Sequence, residues 1–331
     1  MKTKIVTSAL LSLALFSCSD SDNESKKEFK LFTTSNTTGK VSVTDMSTTT
    51  PMTSSFTVAS MDADGAYYFD DTDEFILASR SNNKVELYDG VSEAITSAAT
   101  SLTLGASSTV DFNNAREIAV MGDKVVVTQD QNAANSNTNK LIVYQKTATG
   151  FTLLNSYTVN FKTWGIHLVG NTLYAVADLT ADIVVFENFF ANANGAITPT
   201  KRVAIEGLVR THGITYSTSD DTMVLTDVGD AASNSDGGVI VIKNFKSTLM
   251  STPNMGMIAM NKQIRIYGSA TMLGNPVDVA YDSRTKKIYV AERLFGGGKV
   301  LEFNTPTTNV NAAPTSSRDE AGVSSVYLLR K

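Results

Sequence analysis

Leu173-Tyr-Ala-Val-Ala-Asp178 is one of five short apolar stretches in this chain that end in a polar residue. The other four are Phe75-Ile-Leu-Ala-Ser-Arg80, Lys124-Val-Val-Val-Thr-Gln129, Thr222-Met-Val-Leu-Thr-Asp227 and Lys287-Ile-Tyr-Val-Ala-Glu292. The end positions 80, 129, 178 and 227 lie 49 residues apart, and position 292 follows after 65 residues. A constant period of this length predicts a repeat architecture. The excess in the last interval is expected to form a long loop over residues 246–261.

Each of these stretches belongs to a unit of four short strands. Around position 125 the companion strands are Arg116-Glu-Ile-Ala-Val120, Leu141-Ile-Val-Tyr144 and Tyr157-Thr-Val-Asn-Phe161. The strands are rich in β-branched and aromatic residues, Gly, Asn and Asp separate them, and no helical periodicity competes. Such a unit is typical of a propeller blade. The sequence therefore predicts an all-β propeller of about six four-stranded blades, with seven as the alternative.

The first unit lacks a candidate innermost strand. It begins near residue 28 with Lys30-Leu-Phe-Thr-Thr34 and Lys40-Val-Ser-Val-Thr44. The C-terminal stretch Gly322-Val-Ser-Ser-Val-Tyr-Leu-Leu329 is apolar enough to be that strand and to close the ring. It could equally be the outermost strand of the last blade. Residues 28–331 are predicted to form the propeller domain.

One repeat resembles a known family. Gly274-Asn-Pro-Val-Asp-Val-Ala-Tyr-Asp282, followed by Lys287-Ile-Tyr-Val-Ala-Glu292 and Val300-Leu-Glu-Phe303, is similar to a repeat of the NHL and YVTN type of β-propeller. The resemblance covers about half of the chain and is weakest before residue 110. What it implies is the fold, because these propellers include enzymes, receptors and scaffolds.

The N-terminus has the pattern of an export signal. Lys2 and Lys4 precede an apolar run from Ile5 to Phe16 that is too short to span a bilayer, so residues 1–17 are expected to be a signal peptide. Leu15-Phe16-Ser17-Cys18 resembles a bacterial lipobox, which implies that Cys18, the only cysteine, becomes the lipidated first residue of the mature chain. A free thiol is the alternative.

The polar stretch after Cys18 is expected to be a tether. Residues 18–27 are too polar and charged to pack, and Ser19-Asp20-Ser21-Asp22 resembles the surface-export tag of some Gram-negative lipoproteins. These features predict an outer-membrane lipoprotein at the cell surface, with a periplasm-facing anchor as the alternative.

The composition narrows the class of partner. The 331 residues include 28 Lys and Arg against 33 Asp and Glu, which gives a formal charge of −5. No basic block is present, so nucleic acid is excluded as the main partner. A protein or a glycan is expected instead.

The candidate binding residues lie on one rim of the predicted ring. In a four-stranded blade, the start of the innermost strand and the end of the second strand emerge on the same side. The candidate ligand-binding residues at or beside these positions are Arg80, Arg116, Gln129, Trp164, Asp178, Arg210, His212, Asp227 and Glu292. A rim of this kind combines a flat stacking surface with directional hydrogen bonds. A polar residue after a strand could equally be an acceptor for backbone N–H groups in a turn, and Trp164 could be packed between blades.

A metal-dependent hydrolase is the alternative function. Some propellers of similar shape hold a divalent cation in the channel mouth, and by resemblance the ion would lie among Glu117, Asp227, Asn275 and Asp278. Calcium suits these oxygen ligands, whereas two histidines are too few for a zinc site with several imidazoles. In such an enzyme, acting on a lactone or an ester, His212 would be the catalytic acid or base. A binding or scaffold protein is preferred because no nucleophile and base are paired by any motif.

Overall fold

A computed structural model describes residues 28–331, so the predicted signal peptide and tether, with Cys18, lie outside the described residues. Strands in the first part of this range are β1 (Phe29–Ser35), β2 (Lys40–Asp45), β3 (Met52–Thr57), β4 (Ala63–Phe69), β5 (Glu74–Ser79), β6 (Lys84–Asp89), β7 (Thr103–Ser107), β8 (Ala115–Met121), β9 (Lys124–Gln129), β10 (Asn139–Thr147), β11 (Gly150–Val159), β12 (Thr163–Val169) and β13 (Thr172–Ala177). Strands in the second part are β14 (Asp182–Phe186), β15 (Gly195–Ala196), β16 (Lys201–Ile205), β17 (Thr211–Ser217), β18 (Thr222–Asp227), β19 (Gly238–Lys243), β20 (Met257–Ile258), β21 (Ile264–Tyr267), β22 (Pro276–Asp282), β23 (Lys287–Glu292), β24 (Lys299–Asn304), β25 (Ser316–Asp319) and β26 (Val323–Arg330).

These strands form six sheets. We number the sheets as blades 1 to 6. From the innermost strand outward, and in the order of their numbers, they are β26-β1-β2-β3, β4-β5-β6-β7, β8-β9-β10-β11-β15, β12-β13-β14-β16-β20, β17-β18-β19-β21 and β22-β23-β24-β25. Each innermost strand contacts the innermost strand of the next sheet, and the last contacts the first, so the sheets close into a ring. The protein is a six-bladed β-propeller, as the repeat predicts, and the seven-blade alternative is excluded.

The ring is closed by the C-terminal strand. β26 pairs with β1 in antiparallel register from Phe29 opposite Arg330 to Ser35 opposite Val323, and it is the innermost strand of blade 1. The outermost strand of blade 6 is β25 instead. The backbone N–H of Lys331 donates to the carbonyl of Glu28 at 2.9 Å, so the two ends of the described chain are adjacent.

Blades 3 and 4 each have five strands, one more than the sequence predicts. Each has a two-residue fifth strand that pairs in parallel, β15 with β11 and β20 with β16. The stretch 246–261, expected to be one long loop, contains β20 and most of a short helix, α2 (Phe245–Ser251). The other α-helix among the described residues is α1 (Val91–Thr96). No helix in the described range is long and apolar enough to cross a membrane.

The innermost strands share a backbone irregularity at one level of the channel. In all six blades the register between the innermost and the second strand shifts near the start of the innermost strand, for example between Thr163 and Ile166 and between Thr211 and Ile214. A β-bulge of this kind re-aims the side chains beside it. Glycines at these bulges, such as Gly165, allow neighbouring blades to pack backbone against backbone.

Candidate functional site

The strand-end residues predicted as one ring occupy two different positions. Strand register places Gln129, Asp227 and Glu292 opposite the first residue of the innermost strand, and Ser79 and Ala177 are their equivalents. Arg80 and Asp178 are each one residue further along. The true intervals between equivalent positions alternate between 50 and 48 residues, which mimics a constant 49. Because successive side chains in an extended chain point to opposite sides, the two groups have different surroundings.

Gln129, Asp227 and Glu292 have the turn role that was the alternative for them. The Asp227 carboxylate accepts from the backbone N–H groups of Val209, Arg210 and Gly229 and from the hydroxyl of Tyr267. Glu292 likewise accepts from four backbone N–H groups, and Gln129 accepts from the N–H of Asn113. None of these three lines either cavity of the channel. They hold the loops that precede the innermost strands.

Of the five residues that follow these positions, three line a cavity at this end of the channel. The set at this position comprises Arg80, Asp130, Asp178, Val228 and Arg293, each of which donates its backbone N–H to the carbonyl of the residue just before the innermost strand. This cavity of about 300 Å³ has five cationic lining side chains, which we name the basic mouth: Arg80, Arg116, Lys162, Arg210 and Arg293. Asp130 is the one carboxylate that lines it. Sequence reasoning missed Asp130, Lys162 and Arg293.

Asp178 organises one side of the basic mouth from behind. Its Oδ1 accepts from Arg210 Nε at 2.6 Å and from His212 Nε2 at 3.1 Å, and its Oδ2 accepts from Arg210 Nη2 at 3.2 Å. Lys162 Nζ is 3.7 Å from Oδ2. Burial opposes the ionisation of Asp178, but the bonds from His212 and Arg210 outweigh it and hold the pKa below its usual range. Asp178 is therefore an anion that fixes the positions of two cations and one imidazole.

His212 is neutral and oriented. It is 2% exposed, and burial lowers its pKa to about 4, against the raising effect of Asp178. Because a carboxylate can only accept, Nε2 must carry the proton and Nδ1 is left as an acceptor. Nδ1 is buried and has no hydrogen-bond partner among the described residues.

Trp164 is held by the protein itself. Its ring stacks on the His212 ring with centroids 3.6 Å apart and an interplanar angle of 6°. The guanidinium of Arg116 lies 4.1 Å from the indole centroid. Since Arg116 and His212 belong to the blades on either side of Trp164, the indole fills the gap between them. Trp164 thus positions its neighbours, and the stacking surface expected for a ligand is already in use.

The opposite side of the basic mouth is formed by Arg80, Arg116 and Arg293. Arg80 Nη1 lies 3.4 Å from Asp64 Oδ2, and Arg116 Nη2 lies 3.3 Å from Asp130 Oδ2. When the Asn36 amide is oriented so that its nitrogen donates to the carbonyl of Gly322, its oxygen accepts from Nε and Nη2 of Arg293, both at 3.2 Å. The partner of Arg293 is therefore an uncharged amide. Within residues 28–331 no carboxylate lies within ion-pair distance of Arg293. A cation without a counter-ion favours an anion from solution.

The predicted metal ligands are divided between two cavities. Asn275 lines the basic mouth, whereas Glu117 and Asp278 line a second cavity of about 400 Å³ at the other end of the channel. Asp227 lines neither and is engaged in its turn. Within residues 28–331 no three His, Cys, Asp or Glu side chains are grouped to hold a metal ion. The four residues therefore do not form the expected calcium site.

Three buried carboxyl groups form a level that we name the neck: Asp64 pairs with Arg80 and Arg116 of the basic mouth, and Glu117 and Asp278 line the second cavity. Asp64, Glu117 and Asp278 stand at the bulges of their innermost strands and are buried. Burial raises the pKa of Asp64 to about 6, despite Arg80 and Arg116. Burial, and then the proximity of Asp278, raises the pKa of Glu117 well above its usual range. At least part of the neck is protonated in mildly acidic solution.

Glu117→Gln is expected to raise the unfolding midpoint at pH 8 by a few degrees and to change it little at pH 4. A carboxyl whose folded pKa is raised contributes stability below its unfolded pKa and loses it as pH rises through the folded pKa. The variant keeps an oxygen for the bond from Ile118 N–H, at 2.8 Å, and carries no charge at any pH. Thermal melts across pH 4–8 measure this, with exposed Glu187→Gln as the control. A lower midpoint at pH 8 would contradict the assignment.

The second cavity has a different lining. Tyr67, Tyr281, Tyr327 and His167 lie on its walls, and all six innermost strands contribute to it. Burial lowers the pKa of His167 to about 4, so this imidazole is also neutral at neutral pH. The two ends of the channel thus differ in charge: cationic side chains line one end, and tyrosines with buried carboxyl groups line the other.

Comparison with known proteins supports the fold. A chain of the crystal structure of the nidogen/laminin complex superposes with a TM-score of 0.62 at 11% identity, covering 91% of this chain and 98% of that chain. A protein of unknown function from Bacteroides caccae superposes with a TM-score of 0.57 at 8% identity, covering 92% of this chain and all of that chain. The likeness is one of fold. No family model and no curated protein matches the chain.

Proposed function

We propose that this protein is a ligand-binding β-propeller lipoprotein, and that its basic mouth is the binding site for an acidic group on a protein or glycan. The observation that carries the proposal is the lining of the basic mouth, where five cationic side chains accompany one carboxylate. Ion pairs with Asp64, Asp130 and Asp178 hold three of these cations in place before any ligand arrives. A preorganised site loses less entropy on binding.

A double variant, Lys162→Gln with Arg293→Gln, is expected to weaken binding of an acidic ligand at least about tenfold, because a charge-assisted hydrogen bond contributes about 1.5–3 kcal/mol. Neither side chain supports the fold strongly, since Lys162 Nζ is 3.7 Å from its nearest carboxylates and Arg293 bonds only to an amide. Residues 28–331 would be immobilised and tested by interferometry against a sulfated glycan, a uronic-acid glycan and an acidic peptide.

The matched control removes two cations at the other end of blade 6, Arg284→Gln with Lys286→Gln. Both lie in the exposed turn between β22 and β23. This control is expected to bind as the unmodified protein does. Equal weakening in both double variants would mean that net charge, and not the basic mouth, attracts the ligand. The absence of binding to all three polyanions would overturn the proposed function.

The membrane anchor is the second part of the proposal. Leu15-Phe16-Ser17-Cys18 supports lipidation of Cys18, and the acidic run after it supports display at the cell surface. Several acyl chains hold a protein at a membrane stably.

Cys18→Ser is expected to abolish incorporation of an alkyne-labelled fatty acid and to release the protein from the membrane fraction of a bacterial host. The reason is that Cys18 is the only thiol in the chain. Ser19→Ala is the control and should be labelled normally. Labelling of the Cys18→Ser variant, or no labelling of the unmodified protein, would remove the anchor from the proposal.

A further inference from the structure

Unsatisfied polar atoms concentrate at the basic mouth. Among the described residues, ten buried side-chain nitrogen or oxygen atoms have no hydrogen-bond partner. Five of the ten belong to residues that line this one cavity: Arg80, Arg116, Asp130, His212 and Asn275. A buried polar group without a partner costs about 1–3 kcal/mol. Such atoms are rare in folded proteins, so their concentration at one cavity indicates that a ligand supplies the missing partners.

Three of these atoms are acceptors: Asp130 Oδ1 and two uncharged atoms whose identity is fixed by their neighbours. His212 donates from Nε2 to Asp178, which leaves Nδ1 to accept. Asn275 donates from Nδ2 to the carbonyl of Ala231 at 3.1 Å, which leaves Oδ1 to accept. Both residues are more than nine-tenths buried. An anion alone, such as sulfate, has only acceptors and cannot satisfy either atom.

The cations limit what kind of donor the ligand can present. The five cations of the basic mouth outnumber its one lining carboxylate, Asp130, so the net charge disfavours a positively charged donor such as an ammonium group. A hydroxyl group donates without this penalty. The complementary ligand therefore combines a negative charge with neutral hydroxyl groups.

The size of the cavity suits a single ring. A volume of about 300 Å³ is at the small end of ligand sites. Because Trp164 is occupied by Arg116 and His212, recognition depends on hydrogen bonds and charge. We propose that the basic mouth binds a single-ring sugar acid, with its carboxylate toward Arg116, Arg293 and Lys162 and its hydroxyl groups toward His212 Nδ1 and Asn275 Oδ1. This inference rests on the proposed function and specifies its ligand.

Three kinds of small probe test each part of the assignment by calorimetry with residues 28–331. The sugar acids are galacturonate and glucuronate, the neutral sugars are galactose and glucose, and the hydroxyl-free anion is cyclohexanecarboxylate. At least one sugar acid is expected to bind about tenfold or more tightly than its neutral sugar and than cyclohexanecarboxylate. If cyclohexanecarboxylate binds as tightly, the role of the hydroxyl groups is overturned while the anion site of the proposed function stands. If a neutral sugar binds as tightly, both proposals fail.

Two variants test separately what the acceptor atom of Asn275 and the positive charge of Arg293 contribute to binding. Asn275→Leu keeps a similar shape and removes the acceptor, so it should weaken the sugar acid about tenfold and leave cyclohexanecarboxylate unchanged. Arg293→Gln should weaken both anions. If Asn275→Leu does not fold, the Arg293→Gln comparison and the three probes still decide the charge and hydroxyl parts. If no probe binds, the sugar-acid inference is overturned, and the polyanion experiment above decides separately whether the basic mouth binds a larger acidic partner.

Discussion

Deletion of residues 323–331 is expected to abolish folding of the propeller. The deletion removes β26, which pairs with seven residues of β1 and contacts the innermost strands β4 and β22 on either side. Val323, Val326 and Leu329 on this strand are buried, and each such side chain contributes about 1.5–3 kcal/mol. A protein has a total stability of about 5–15 kcal/mol, so the loss of these contacts and of a backbone ladder exceeds what the fold can tolerate. Near-ultraviolet circular dichroism and thermal melts should show no cooperative transition.

A circular permutant is the control for the deletion, because it keeps β26 and moves only the chain ends. The N–H of Lys331 and the carbonyl of Glu28 are 2.9 Å apart, so a short glycine linker can join the ends. New termini between Thr307 and Thr308 lie in an exposed stretch between β24 and β25. This permutant keeps every strand and is expected to fold. A folded truncation variant would show that β26 is dispensable and would contradict closure by this strand.

Gly165→Ala is expected to destabilise the protein by about 3 kcal/mol or more, at or above the upper end of ordinary overpacking. A Cβ at this position would lie 2.1 Å from the carbonyl oxygen of His212 and 3.2 Å from Ile214 Cγ2. The obstacle is the backbone of the next blade, which cannot move aside as a flexible side chain can. To relieve this clash, blades 4 and 5 would have to move apart at the point where Trp164 stacks on His212. The unfolding midpoint should therefore fall, and the ligand affinity of the basic mouth should fall with it.

Gly122→Ala is the control for the steric argument. Gly122 has φ +59° in the turn between β8 and β9, and no other residue lies within 4 Å of the point that a Cβ would occupy. Alanine there has only the backbone cost of the left-handed conformation, about 1–2 kcal/mol. Denaturant unfolding compares the two variants. A Gly165→Ala protein no less stable than Gly122→Ala would show that the innermost strands are not packed this closely.

The fold could be predicted because each blade produces the same pattern of apolar stretches in the sequence. Four apolar stretches at equal intervals, and a fifth after a longer one, imply repeated units, and β-branched residues between Gly, Asn and Asp turns imply strands. The mode of closure could not be predicted, because the apolar pattern of 322–329 suits an innermost strand as well as an outermost one. Contacts with β4 and β22 decide between them, and these strands are distant in the sequence.

Only part of the candidate site could be predicted from the sequence, because the repeat period does not fix strand register. Arg116, Trp164 and His212 are equivalent and 48 residues apart, so they were recognised as a ring. Lys162 and Arg210 repeat at the same interval two positions earlier, a signal that could have revealed Lys162. The apparent period of 49 instead merged two positions whose side chains face different sides. A shift of one residue changes which side of the strand a side chain faces, and only strand register resolves it.

The adjacency of Glu28 and Lys331 identifies the face of the propeller at which the described chain begins and ends. Innermost strands run from the basic mouth toward the tyrosine-lined cavity, and β26 ends at that cavity, beside the start of β1. The chain therefore enters the propeller on the face opposite the basic mouth. If Cys18 carries lipid as proposed, residues 18–27 connect that lipid to the tyrosine-lined face. The basic mouth then lies at the end of the channel opposite the point of attachment, so the lipidated tether does not cover the binding site.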